Sequence, residues 1–216
     1  MKKIALRGAI ELYMGEGPNF SKFIRDVYSV SFCRSKDKLS QWRGYGNSQG
    51  VCLEFDEKKL IDELNYDGLK FLHKDVIYTD ESSTIEMNEK IISFFRGLEV
   101  SDIEFFDSFV AFVGACGLVE ENIPFFKNKG FMEEEEFRFI FTPLGELRNL
   151  KFRVSSYGLI PYLSMKMNEG AKLPLKSVII GPSKDKHLMK TGLEMFLKSM
   201  GYGHVEINFS SVPYRG

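Results

Sequence analysis

Cysteine, histidine and tryptophan are scarce in this chain: of 216 residues, three are Cys, three are His and one is Trp. Cys33, Cys52 and Cys116 are odd in number and form no C-x-x-C pair, which excludes a disulfide framework and a cysteine-rich zinc site. The expected setting is the reducing cytoplasm. His73, His187 and His204 lie far apart with no His or Cys at ligand spacing, so no metal site is expected. Neither sign of charge is in excess: Lys and Arg total 29 and Asp and Glu 30, a formal net charge of −1. That excludes a global basic field driving sequence-independent nucleic-acid binding and leaves room only for a local basic groove.

Long hydrophobic runs are missing as well. The opening Met-Lys-Lys-Ile-Ala-Leu is followed by Arg7, Glu11 and Glu16, which break the apolar stretch an export signal needs. The most apolar segment, 105–119, contains Asp107 and is too short to cross a bilayer, so it reads as a buried helix and no membrane association is expected. A G-x-x-x-x-G-K-S/T loop and a G-x-S-x-G elbow are both absent, and phosphate-loop and serine-hydrolase chemistry fall away with them.

What the chain does have is an ordinary globular composition, 44% hydrophobic and 27% charged, with 20 Phe residues that imply a thick aromatic core. Periodicity predicts strands over 27–33, 51–55, 75–79, 135–141, 151–155, 159–165, 176–181 and 204–209. Helices are predicted over 18–26, over 57–64 with Asp56 as cap, over 84–97 and 102–119, and after Ser183, which serves as cap, with Gly201 closing the last turn. Helix 102–119 is expected to pack through Phe105, Phe109, Phe112 and Val113. Strands grouped at both ends of a helical middle do not give regular βαβ alternation, so the fold class is α+β. No repeat or linker is visible, and residues 1–216 read as a single domain. The oligomeric state has no signature in the sequence.

Two segments carry chemistry. Ser40-Gln-Trp-Arg-Gly-Tyr-Gly packs Trp42, Arg43 and Tyr45 into one loop between two strands. Trp42 and Tyr45 are flat surfaces on which a ring can stack, and Arg43 with Arg34 offers planar forks for phosphate or carboxylate. The competing reading has Trp42 anchoring the loop in the core and Arg43 paired with a carboxylate. The second segment, Phe131-Met-Glu-Glu-Glu-Glu-Phe-Arg-Phe-Ile-Phe, alternates so that Glu134, Glu136, Arg138 and Ile140 share one strand face, while Glu135, Phe137, Phe139 and Phe141 share the other. A carboxylate entering an apolar strand needs a partner, and Arg138 is two residues along the same face. Glu136 is therefore either a site residue or half of a structural pair. A metal-dependent nuclease on Glu54, Asp56 and Lys58 is a further alternative, which lacks a second acidic strand.

Together these blocks resemble a large bacterial family, the domain of unknown function numbered twenty-nine seventy-one. The resemblance runs from Phe32-Cys-Arg-Ser through Leu39-Ser-Gln-Trp-Arg-Gly-Tyr-Gly to Gly50-Val-Cys-Leu-Glu-Phe-Asp. It continues in family order through Val76-Ile-Tyr78, Phe126-Lys127, Glu134-x-Glu136-x-Arg138, Phe152-Arg153, Pro161-Tyr162, Val178-Ile-Ile-Gly-Pro182 and Ser211-Val-Pro-Tyr-Arg215. It covers about residue 27 to the end, and the aromatic-Tyr-Thr/Ser strand with which family members begin has no counterpart before Phe20.

The setting of the family implies a phage-defence or toxin-like protein. A weaker resemblance, to the ADP-ribosyltransferase fold, implies that a late glutamate contacts the nicotinamide ribose, and Glu136-Phe137 is the matching position. On that implication Glu136 and Glu134 are the catalytic carboxylates, while Arg34, Trp42, Arg43, Tyr45 and Arg138 bind substrate. NAD is then a co-substrate rather than a tightly bound cofactor, and the partners are a nucleotide ligand and a protein or nucleic-acid target. A carboxylate beside the sugar would stabilise the oxocarbenium-like state of glycosidic cleavage. The alternative is a non-catalytic sensor or partner-binding domain of the same fold.

Overall fold

A computed structural model describes residues 26–46, 50–79, 120–147, 150–156 and 158–213, with 89 and 117 as single positions. The expected helices 84–97 and 102–119, and nearly all of 18–26, lie outside the described residues. In chain order, β1 (Tyr28–Cys33) leads to a helical turn Leu39–Gln41 that runs into a π-helical turn Trp42–Gly46. Then come β2 (Val51–Phe55), α1 (Glu57–Glu63), β3 (Leu64–Asn65), β4 (Leu69–Asp75) and β5 (Ile77–Thr79). After 3-10 turn Ile123–Phe125 follow β6 (Phe126–Asn128), 3-10 segment Lys129–Glu134, β7 (Glu136–Pro143), β8 (Lys151–Ser155) and β9 (Gly158–Tyr162). The chain ends with β10 (Lys166–Met167), β11 (Leu175–Ile180), α2 (Lys186–Ser199) and β12 (Glu206–Phe209). Strands are paired mostly antiparallel around separate helices, and the fold is α+β.

The chain divides into two compact units, each assembled from separated stretches of sequence. The first takes Met1–Phe32, Gly68–Met132 and Glu136–Arg148. Its sheet has the order β1-β7-β4, with β4 and β7 antiparallel from Leu69 opposite Pro143 to Asp75 opposite Phe137. The alternation in β7 puts Phe137, Phe139 and Phe141 on one face. Phe71 stacks on Phe141 at 5.0 Å, and Phe32 meets Phe139 edge-on at 4.9 Å, which builds the aromatic core the composition implies. The other face of β7 is also buried: Ile140 is 2% exposed and Glu136 5%.

The single strand expected over 75–79 is in fact the end of β4 and all of β5, separated at Val76. β4 itself escapes the sequence pattern because Leu-Lys-Phe-Leu-His-Lys-Asp does not alternate cleanly. Its extended form is fixed by pairing with β7 rather than by its own composition.

The second unit takes Cys33–Asp67, Glu133–Glu135 and Asn149–Gly216. Its main sheet has the order β12-β11-β2, with β11 parallel to β12 and antiparallel to β2. Helix α2 forms the crossover between the parallel strands and buries Leu197 against Val178 and Val205, with Leu193 and Ile207 alongside. The cap of α2 is Asp185, whose carboxylate accepts from the Leu188 amide at 2.9 Å, rather than Ser183. Gly201 closes the helix as expected, at φ 78°, with the Tyr202 amide donating to the Leu197 carbonyl at 2.7 Å. Asp56 caps α1 through the Lys59 amide.

Candidate functional site

In the second unit the tryptophan loop is held from below. Trp42 is 9% exposed, and its indole N–H donates to Asp37 Oδ1 at 2.7 Å. The same oxygen accepts from Ser210 Oγ at 2.6 Å, and Oδ2 accepts from the Ser211 amide at 2.8 Å and the Ser211 hydroxyl at 2.7 Å. Burial alone would push the Asp37 carboxyl up, but the donors Ser210, Trp42 and Ser211 outweigh it and hold the group at about 2. The ring packs on glycine: a Cβ on Gly181 would stand 2.8 Å from the indole, and one on Gly46 3.0 Å from it.

The anchors of this loop are themselves informative. Gly181 directly follows β11, and Ser210 directly follows β12. The loop is therefore fixed at the carboxyl ends of the parallel strand pair, the place where α/β crossovers bind ligands. From that base the π-helical turn presents two side chains outward. Tyr45 is 73% exposed, Arg43 is exposed, and neither has a polar partner among the described residues.

Sequence reasoning missed one further residue at this end. Ser183, on the loop between β11 and α2, is 6% exposed, and its hydroxyl is buried without a hydrogen-bond partner among the described residues. Its position before a helix suggests a cap, and only the fold moves that duty to Asp185. Arg34 is committed within the unit: Nη1 pairs with Glu57 at 2.6 Å, and its amide donates to the Glu135 carbonyl. Glu135 sits at φ 43° with its carboxyl lowered by Lys38 and Ser35, and Glu134 is half-buried beside it. The nuclease alternative finds its groups occupied. Glu54 accepts from Ser177 and Lys36, Asp56 is a helix cap, and no group of three His, Cys, Asp or Glu among the described residues could hold a metal.

In the first unit Glu136 is the centre of a charge cluster. Its Oε1 accepts from Arg138 Nε at 2.6 Å, and its Oε2 accepts from Arg138 Nη2 at 2.9 Å and Lys127 Nζ at 3.0 Å. Burial pushes its carboxyl up, while Arg138, Ser31 and Lys127 pull it further down, to about 2. Arg138 also donates to the Pro124 carbonyl, and Lys127 lies over the Phe131 ring at 4.9 Å. The backbone is tied down too, since the Glu136 amide donates to the Tyr78 hydroxyl at 2.9 Å and its carbonyl accepts from Val76.

Residues 41–139 match the family model described as "Protein of unknown function (DUF2971)". Over that stretch the chain is similar to this family. No curated protein and no solved structure matches the chain. The DUF2971 match takes in both segments singled out in the sequence, the Trp42 loop and the Glu136–Arg138 strand. It leaves out Gly181, Ser183, Ser210 and Ser211, which hold or flank the loop. Arg34, Trp42, Arg43, Tyr45 and Glu134 belong to the second unit, and Glu136 and Arg138 to the first. The implied site, with Glu136 and Glu134 catalytic and Arg34, Trp42, Arg43, Tyr45 and Arg138 binding substrate, draws on residues of both units.

Proposed function

We propose that this chain is a binding protein rather than an NAD-consuming enzyme, and that its ligand is a nucleotide held by Arg43 and Tyr45. One observation carries the reading: two exposed side chains without polar partners among the described residues stand on an internally anchored turn at the carboxyl ends of β11 and β12. Arg43 supplies a planar fork for a phosphate, and Tyr45 a face for a base. Trp42 and Asp37 do not touch ligand in this reading. They hold the turn rigid, so that little side-chain order has to be gained on binding. The buried Ser183 hydroxyl supports the same end of the sheet as the binding end.

The second reading is glycosidic-bond chemistry on NAD, in a phage-defence or toxin-like setting, with Glu136 facing the sugar. It is favoured by Glu136 being held ionised. Against it stands the use already made of that carboxylate, which is 5% exposed and takes two nitrogens of Arg138, Lys127 and Ser31. A carboxylate that stabilises a developing sugar cation needs open access to it.

Calorimetric titration with NAD, ADP and ATP, paired with a nicotinamide-release assay, tests both. Saturable binding without turnover is expected, with Arg43→Ala and Tyr45→Ala each weakening it about tenfold, near 1.4 kcal/mol, at an unchanged melting temperature. No heat with any nucleotide would sink the proposal. Turnover that vanishes in a fully stable Glu136→Gln would replace it with the enzymatic reading.

A further inference from the structure

One flank of α2 is apolar and uncovered. Leu188 is 70% exposed, Met195 71% and Phe196 59%, and helical spacing sets them on one side together with Gly192. The opposite flank is engaged within the unit, where Lys186 and Lys190 lie 6.0 and 5.7 Å from the centre of the Phe209 ring. Phe209 is on β12, and Leu197, about 180° round the helix from Leu188, is the residue buried on the sheet, so Leu188 and Met195 face away from the sheet and Phe196 faces the β2 side. There Val51 and Leu53 pair in register with Ile180 and Val178 and share the face on which α2 packs, yet they stay 42% and 48% exposed. Among the described residues, helix α2 packs on β11 and β12 and leaves Val51 and Leu53 of β2 partly exposed.

We infer that this surface is the interface of a two-fold homodimer. The two copies lie with their α2 helices side by side, Gly192 facing Gly192, while Leu188 and Met195 of each copy cover Val51 and Leu53 of the other. Area, shape and charge favour a second copy as the occupant. At roughly 150–250 Å² for a large side chain, the exposed fractions of these residues come to about 430–730 Å² per copy, approaching the ~800 Å² per partner of a standard interface.

Gly192 sits in mid-helix, where glycine costs about 1 kcal/mol relative to alanine and no turn requires it. A Cβ there would meet nothing within 4 Å, so the position is open to close approach by another helix. Leu188, Gly192, Met195, Phe196, Val51 and Leu53 include no charged residue, so an anionic surface would find no counter-charge among them.

Sedimentation equilibrium of the full chain is the test. The wild type is expected at twice the 24.8 kDa chain mass. Leu188→Glu combined with Met195→Glu is expected at the single-chain mass with its circular dichroism unchanged, because both side chains already face solvent within one copy. Lys190→Glu, on the engaged flank, is expected to stay dimeric. If the double variant fails to fold, mild oxidation of Gly192→Cys decides the matter: a covalent dimer forms well above the background from the native cysteines. A wild type at single-chain mass at about 100 μM, far above the Kd of a micromolar dimer, overturns the inference. So does a double variant that remains dimeric, or a Gly192→Cys chain that does not cross-link.

Discussion

The indole nitrogen of Trp42 and the carboxylate of Asp37 lie 2.7 Å apart, and the same carboxylate takes three further donors from Ser210 and Ser211. Residues separated by 173 positions are thereby tied to one group. Asp37→Ala strips the buried indole N–H of its acceptor and should cost about 2–3 kcal/mol, whereas Asp37→Asn keeps one acceptor and should cost less. Urea unfolding followed by the emission of Trp42, the only tryptophan, separates the two.

Replacing Glu136 removes the carboxylate that Arg138 and Lys127 share. Removing one partner of a buried pair costs about 3–5 kcal/mol, and Glu136→Gln, which keeps the shape, should fall at or below the low end of that range. Arg138→Met should lower the melting temperature comparably, and the double variant should lose less than the sum of the two, because both changes act on one contact. Additive losses would show that the two residues stabilise the fold independently.

The acid limb of stability follows from two carboxyls, Asp37 and Glu136, each held at about 2 in the folded chain. Their folded values lie below the unfolded ones, so each contributes stability that is complete above about pH 5. It fades as pH falls through the unfolded range near 4 and is lost by about pH 2. Urea midpoints measured from pH 7 to pH 2.5 should be flat at first and then drop steeply below pH 4.5. Asp37→Asn and Glu136→Gln should each flatten that drop.

Gly181→Ala directs a methyl group at the face of the Trp42 ring, 2.8 Å away, and toward the Gly50 carbonyl at 3.0 Å. Neither neighbour is the loose end of a side chain, so a loss of about 1–3 kcal/mol is expected. A blue or red shift in Trp42 emission should accompany it as the ring is displaced. An unchanged melting temperature would mean that the loop yields without cost.

Ser183 gives the opposite sign. An unsatisfied buried hydroxyl is a liability, so Ser183→Ala should leave the melting temperature unchanged or raise it, by up to about 1 kcal/mol in stability. Weaker nucleotide binding by this variant would place the hydroxyl at the ligand, and unaltered binding would confine its effect to the fold.

The local features of this chain were legible because they depend on neighbours in sequence. Alternation in 136–141 set Glu136 and Arg138 on one face and the phenylalanines on the other, and the pairing followed. Asp56 and Gly201 were readable as helix ends, since a cap and a left-handed turn are decided within a few residues. Leu69–Asp75 was not legible as a strand, because its form is imposed by β7. Ser183 was misread as a cap for a similar reason: two oxygen-bearing side chains stood before α2, and only the path of the chain after β11 selected Asp185.

The sequence by itself thus determined the α+β class and the strand face that Glu136 and Arg138 share. Tertiary structure alone decided which of the candidate groups were used up and which were left open. It brought Ser210 and Ser211 to Asp37, buried Trp42 over Gly181, and added Lys127 and Ser31 to the Glu136 pair. Arg43 and Tyr45 remained exposed at the carboxyl ends of β11 and β12. The reason is one of range: strand alternation and helix caps act over two to four residues, whereas a buried polar group takes whatever donor the folded chain delivers, however distant in sequence.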